Sequence, residues 1–224
     1  TLRGSPRVAA MSALFGLFAG DKNVRPAYSV QQLNSLYASL QAISETITGN
    51  DEKAGEALVE VVRQMTEALL WGENQKEDPG FFDFFCEKSI LAVFVEVVGR
   101  EKVPTAVKVQ LLQSLSMLIQ NIKKPTSLYY MFSNNHVNQL IMTQFDWSDT
   151  DILSYYISFQ KSLALRLNSE TIKFFFNGHS TEFPLYTEAI RFFGHQDPMV
   201  RTAVRNLTLQ VYRVEDTDTR AFIL

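Results

Sequence analysis

The residue types able to do chemistry are few in this chain, and they are scattered. Three histidines, His136, His179 and His195, are the candidates for proton transfer or metal ligation. No His-x-x-x-His pair and no Cys/His ligand spacing relates them, and zinc sites need such spacing to bring their ligands to one point. All three fall at predicted turns or helix starts, where a solvated or structural role is the ordinary one. The single cysteine, Cys86, is a nucleophile only as a thiolate. Its neighbours Phe85 and Glu87 are the reverse of the electropositive setting that lowers a thiol pKa. This argues against a thioester-forming ligase mechanism, and one cysteine cannot supply the ligands of a RING finger. Asp146, Asp149 and Asp151 in "FDWSDTD" invite a calcium reading. The spacing and the missing glycine do not fit an EF-hand loop, whereas carboxylates at a helix start fit well. Asn206-Leu207-Thr208 is a formal glycosylation sequon inside a predicted helix. Arg201 and Arg205 share a helical face and are expected to pair with acids of a neighbouring element, with contact to a partner as the alternative. There is no phosphate-cradling glycine loop and no nucleophile elbow. The sequence therefore predicts no catalytic residue, no cofactor and no metal.

Composition points the same way. With 21 basic and 24 acidic residues, the net charge of −3 lacks the basic excess of a nucleic-acid binder. Hydrophobic residues make up 46% of 224, enough to bury a core without disulfides. No run reaches the roughly 18 apolar residues that span a bilayer. Glu96 interrupts the best one, "SILAVFVEVVGREK", so any membrane contact is expected to be peripheral. Residues 1–26 stand apart, with Arg3 and Arg7, no acid before Asp21 and an apolar patch from Ala13 to Ala19. A transit peptide, a membrane-dipping segment and a loosely ordered leader all remain open for them.

The elements that would have to position a site all carry a helical period. Leu33, Leu36, Leu40, Ile43 and Ile47 are spaced by three and four, and Leu58, Val61, Val62, Met65 and Leu69 keep the same helical period. Leu111, Leu112, Leu115, Leu118, Ile119 and Ile122 continue the pattern. Further helices are predicted at about 89–98, 134–145, 149–167, 170–177, 184–193 and 198–213. The runs "FFDFF" and "KFFF" are read as helical from their flanks. Gly49, Gly72, Gly99, Gly178 and Gly194 are read as helix stops. Pro79, Pro104, Pro125, Pro184 and Pro198 are read as helix starts, with Asp197 capping before Pro198. Ser148 with Asp151 resembles a capping box. Leu185, Ala189, Phe192 and Phe193 are expected to fill one seam between helices.

The pattern repeats. Phe85, Phe132 and Phe176 align in three aromatic clusters, 47 and then 44 residues apart. Leu115, Leu163 and Leu207 align in long helices, 48 and 44 apart, with Met65 a further 50 upstream. Armadillo and HEAT repeats run about 40–47 residues, and "DPMVRTAV" has the look of a HEAT helix opening. The expected fold is an all-α, armadillo/HEAT-like α-solenoid of roughly four degenerate repeats.

Four motifs in order, "TSLYYMFSNNHVNQLI", "FDWSDTDILSYYISFQKSLALRLN", "FPLYTEAIRFF" and "MVRTAVRNLTLQVYRV", resemble the FPL-domain family. The likeness runs from about Val30 to about Val214, with Phe183, Pro184 and Leu185 as its structural motif. It divides the chain into a leader over 1–26, an FPL α-solenoid over 27–214 and the start of a linker over 215–224. The resemblance implies a non-enzymatic scaffold or adaptor in endosomal–lysosomal or vacuolar trafficking, autophagy and mitophagy. It implies a cytoplasmic protein recruited peripherally to endosomal, lysosomal or Golgi membranes. The alternative it leaves open is a component of a ubiquitin-ligase complex or a regulator of a vesicle-traffic small GTPase. The partners implied are other proteins: trafficking machinery, ubiquitin-ligase components or small GTPases. Phe222, Ile223 and Leu224 follow a polar stretch with nothing to cover them, so contact with a following part of the protein or with a second copy is expected.

Overall fold

The computed structural model describes residues 28–47, 51–77, 79–178 and 181–223. Residues 1–27, which include the expected leader, and Gly49, His179 and Leu224 lie outside them. Eleven α-helices occupy the described residues: α1 (Val30–Thr46), α2 (Glu52–Glu73), α3 (Phe81–Glu87), α4 (Ile90–Gly99), α5 (Thr105–Asn121), α6 (Pro125–Ser133), α7 (His136–Met142), α8 (Thr150–Ala164), α9 (Pro184–Ile190), α10 (Pro198–Arg213) and α11 (Thr217–Ile223). A single 3₁₀ turn spans Thr171–Phe174. No strand is formed among the described residues; one isolated antiparallel bridge joins Asn177 and Glu182.

Local chemistry sets the helix starts. The Ser29 hydroxyl accepts from the Gln32 amide at 3.1 Å, and the Asp51 carboxylate from the Ala54 amide at 2.9 Å. Asp197 accepts from the Met199 amide at 2.7 Å, with Pro198 at the first helical position. Such caps satisfy amides that have no partner within the helix, and each is worth ~1 kcal/mol. The capping box expected at Ser148 is replaced by a cap at Asp149, which accepts from the Asp151 and Ile152 amides at 2.9 and 3.2 Å. Ser148 instead donates, through its amide and its hydroxyl, to Asp146.

The long helices pack in chain order, α1 on α2, α2 on α5, α5 on α8 and α8 on α10. Met65, Leu115, Leu163 and Leu207, aligned by spacing in the sequence, are each no more than 1% exposed in this row. A second row runs from α4 to α7 to α9. Between the rows a backbone feature recurs. Ser89, Asn135 and Thr181 are the non-glycine residues with positive φ among those described, at 51°, 57° and 55°. They stand 46 positions apart (135 − 89 and 181 − 135 are both 46). Ser89 joins α3 to α4, Asn135 joins α6 to α7, and Thr181 precedes α9. A side chain held in the left-handed region is costly; Ser89 and Asn135 stand directly before α4 and α7, whereas Thr181 lies in the turn of the Asn177–Glu182 bridge, three residues before Pro184.

Long-range caps tie successive helices together. The Glu73 carboxylate, 6% exposed, accepts from the Lys123 and Lys124 amides at 3.1 and 3.4 Å and from the Ser127 hydroxyl at 3.1 Å. It thereby caps the start of α6 from the end of α2, placing negative charge where the helix dipole favours it. The Arg166 guanidinium donates to the Ile122 carbonyl at the end of α5, at 2.7 Å, and Arg100 to the Ser44 carbonyl near the end of α1. Both put positive charge at a helix C-terminus, the matching polarity.

Several expectations are corrected. Gly72 does not stop a helix but lies inside α2. A β-carbon there would meet Phe81 atoms at 3.0–3.3 Å, so glycine is required for close approach to α3. The helix expected over 170–177 is only the 3₁₀ turn, because the chain folds back through the Asn177–Glu182 bridge. In the third aromatic cluster Phe175, 2% exposed, takes the inward place expected of Phe176. The stretch expected to begin a linker forms α11, and Phe222 is covered by Phe176, Phe183 and Tyr186 at 5.7, 6.1 and 6.3 Å between ring centres.

Candidate functional site

The FPL tripeptide builds a joint between α8 and α10. Upstream, the Asn168 side chain accepts from the Glu170 and Thr171 amides at 2.8 and 2.9 Å, and the fully buried Thr171 hydroxyl donates to the Arg166 carbonyl at 2.9 Å. These bonds end α8 and turn the chain. The Asn177–Glu182 bridge then closes the loop with backbone bonds of 2.9 and 3.2 Å. Phe183 stands non-helical at φ −138°, as the proline after it demands. Pro184 opens α9 at its first position, where no amide is missed. Phe183 and Leu185 are 1% and 0% exposed, so the motif is core. Phe183 stacks on Tyr186 at 5.9 Å and meets Phe176 at 5.7 Å. Rings of this size bury ~150–250 Å² each, which makes the joint stiff.

Two open concavities flank this loop. One, about 570 Å³, is lined by Asn135, Asn138, Met142, Lys173, Phe174 and Pro184 among others. The other, about 630 Å³, lies between Lys173, Phe176, Asp216, Asp218 and Phe222. Asp216 caps α11 by accepting from the Thr219 hydroxyl at 2.5 Å and the Thr219 amide at 2.9 Å. Those bonds, hydroxyl first, hold its carboxyl below the usual range, helped by the Lys173 charge. Both concavities pair aromatic walls with isolated polar groups and contain no nucleophile–base pair.

The other sequence candidates stay apart. His136 begins α7, its Nδ1 3.3 Å from Gln139 Oε1. His195 Nδ1 accepts from the Asp197 amide at 3.1 Å, in the turn before α10. His179 lies outside the described residues. Cys86 ends near Tyr130, whose hydroxyl donates to the Cys86 carbonyl at 3.0 Å. Burial, and secondarily the Asp83 charge, push its thiol up to about 12. No group of three or more His, Cys, Asp or Glu side chains among the described residues is placed to hold a metal ion. Asn206 is exposed on α10.

Two expectations at the joint need revision, and one does not. Phe192 is 7% exposed and packs edge-on against Trp147 at 5.1 Å, as a seam residue should. Phe193 does not share that face, because α9 ends at Ile190 and the turn that follows carries Phe193 outward to 46% exposure. Arg205 stacks over it at 5.4 Å, and Arg201 donates to the His195 and Gln196 carbonyls at 2.7 Å each. The arginines therefore serve the joint rather than neighbouring acids. Sequence reasoning missed Glu73, Arg100 and Arg166, whose partners lie 44 to 56 residues away. It also missed the buried relay in which Gln160 donates to the Tyr156 hydroxyl at 2.9 Å and that hydroxyl to the Ile141 carbonyl at 2.6 Å.

Residues 62–212 match the model of the FPL family, described as an uncharacterised conserved protein. The chain belongs to the FPL family. It is 47% identical over 193 residues to the human protein CLEC16A, covering 86% of this chain and 18% of that protein. Against the Drosophila melanogaster CLEC16A homolog it is 44% identical over 209 residues, covering 92% of this chain and 19% of the other. Against the Arabidopsis thaliana protein TRANSPARENT TESTA 9 it is 39% identical over 203 residues, covering 89% and 23%. This FPL chain thus spans about a fifth of the length of the curated relatives it matches. No solved structure matches it. The matched span includes the joint, all three positive-φ positions and the Glu73 cap. Among the described residues no helix is long and apolar enough to cross a membrane.

Proposed function

We propose that this FPL chain is a non-enzymatic α-helical scaffold, an armadillo/HEAT-like stack that presents surfaces to other proteins in endosomal–lysosomal or vacuolar trafficking and in autophagy, including mitophagy. The observation that carries the scaffold reading is the left-handed position recurring at Ser89, Asn135 and Thr181, one per set of a long helix and two short segments. Sets repeated at about 40–47 residues stack so that each buries its neighbour's apolar face and leaves its outer edge for partners. Family membership alongside animal and plant relatives supports the trafficking assignment. In this reading the protein works in the cytoplasm and reaches endosomal, lysosomal or Golgi membranes by peripheral recruitment. Its partners are trafficking proteins.

Proximity labelling in cells, with this stretch present or deleted from the protein that carries it, tests the assignment. Deletion should remove a set of endosomal and lysosomal neighbours. An unchanged neighbour set would refute it. Two companion assays separate the other roles. Discharge of ubiquitin from a charged conjugating enzyme by the purified chain would make it a ligase component. Nucleotide-dependent capture of a small GTPase would make it a GTPase regulator.

A further inference from the structure

The core-facing stripe of α10 is Val200, Val204, Leu207 and Val211, each 6% exposed or less. Its opposite face carries Arg205, Leu209 and Tyr212 at i, i+4 and i+7, with Leu209 58% and Tyr212 46% exposed. Two stacked guanidiniums extend the stripe. Arg205 lies over the exposed Phe193, and Arg220, from α11, lies over Tyr212 at 5.9 Å. Arg220 Nε is buried without a hydrogen-bond partner. Across its sixteen residues α10 holds Arg201, Arg205 and Arg213 and no carboxylate. The result is a continuous line of ring, guanidinium, leucine, ring and guanidinium on a single face.

We propose that this face docks an acidic amphipathic helix of a partner protein. The proposal rests on the scaffold reading and names one of its surfaces. A helix lying along α10 would set apolar side chains at i, i+3, i+4 and i+7 against Leu209, Tyr212 and Phe193. Its carboxylates would meet the open edges of Arg205 and Arg220. A guanidinium already stacked on a ring loses little freedom on pairing, and its fork matches a carboxylate. Charge selects this occupant over two others. A second copy laid along α10 would bring arginine against arginine, and its exposed carboxylates, Glu215 and Asp218, lie only beyond the end of that helix. A flat anionic bilayer would have to approach the exposed Glu215 and Asp218 just beyond Tyr212, whereas a single helix follows the stripe alone.

The test uses the whole chain and two labelled helical peptides with the same leucine spacing, one carrying glutamates between the leucines and one carrying lysines. Fluorescence anisotropy should show the glutamate peptide binding about tenfold tighter, with the gap shrinking as salt rises. Arg205→Glu should close the gap, and Leu209→Asp should weaken both peptides. Arg205 and Leu209 are exposed, so melting temperatures should fall by no more than about 2–4 °C, the worth of the Arg205–Phe193 contact; Arg205→Gln serves if the reversal disturbs folding. Equal binding of the two peptides, or a preference untouched by Arg205→Glu, would overturn the proposal. So would stronger binding to phosphatidylserine vesicles than to either peptide, or self-association that Leu209→Asp abolishes. None of these outcomes touches the scaffold reading, which depends on the neighbours lost in cells.

Discussion

Replacing Glu73 by alanine should destabilise this chain far more than a helix-end glutamate ordinarily does. The carboxylate is 6% exposed and serves three donors, the Lys123 and Lys124 amides and the Ser127 hydroxyl. Loss of the cap on α6 costs ~0.5–2 kcal/mol. Ser127 is itself 5% exposed, so its hydroxyl, left without a partner, adds ~1–3 kcal/mol. A combined loss of ~3 kcal/mol lowers the melting temperature of a chain this long by about 6–12 °C. Glu73→Gln keeps one acceptor oxygen, which can serve the amides or the hydroxyl but not both, so its melt should fall between the two. In a Ser127→Ala background Glu73→Ala should cost ~1 kcal/mol less, because no hydroxyl is then stranded. Thermal melts by circular dichroism measure the parent and all four variants. A Glu73→Ala melt within about a degree of the parent would show that α2 and α6 are not joined through this carboxylate, and the physical account of the cap would fall with it.

Phe192→Ala should cost ~3–5 kcal/mol by emptying the space against Trp147, whereas Phe193→Ala should cost under ~1 kcal/mol, the worth of its contact with Arg205. Equal melts for the two variants would contradict the assignment of one to the core and the other to the surface. With its thiol at about 12, Cys86 should react with iodoacetamide at pH 8 on the order of a thousandfold more slowly than free cysteine, and faster with each rise in pH. Labelling at the free-cysteine rate would place the thiol in an environment other than this one. Asp216 has a depressed folded-state pKa, so its contribution to stability is fully present above the ordinary carboxylate value and is lost as pH falls through the lower folded value. Asp216→Asn should therefore flatten the acid limb of a pH–stability curve, modestly because the group is only partly buried; an identical acid limb counts against the cap on α11.

What was legible in the sequence is what short-range physics sets. Asp197 capping before Pro198, Pro184 opening α9 and the apolar stripes of the long helices each depend on neighbours within a turn or two, and each stands where spacing put it. The recurrence of Met65, Leu115, Leu163 and Leu207 was readable for the same reason, since every long helix must bury one stripe. Illegible were the places where distant chain decides. Gly72 reads as a helix stop until Phe81 is seen pressed against it. Phe193 reads as core because it continues the period of α9, yet the helix ends three residues earlier and the turn swings it outward. The left-handed positions at Ser89, Asn135 and Thr181 carry no shared residue type, so only backbone angles reveal their common interval of 46. Glu73, Arg100 and Arg166 look like surface charges, because a single sequence does not say which helix end will arrive beside each. Their polarity is nonetheless consistent: the acid meets a helix start and the arginines meet helix ends. In a fold whose helices pack in rows, the exposed termini of one row are the natural partners of charges on the next. Such residues fix how each set of helices sits on the one before it, and through that the line of outer faces on which a partner would have to lie.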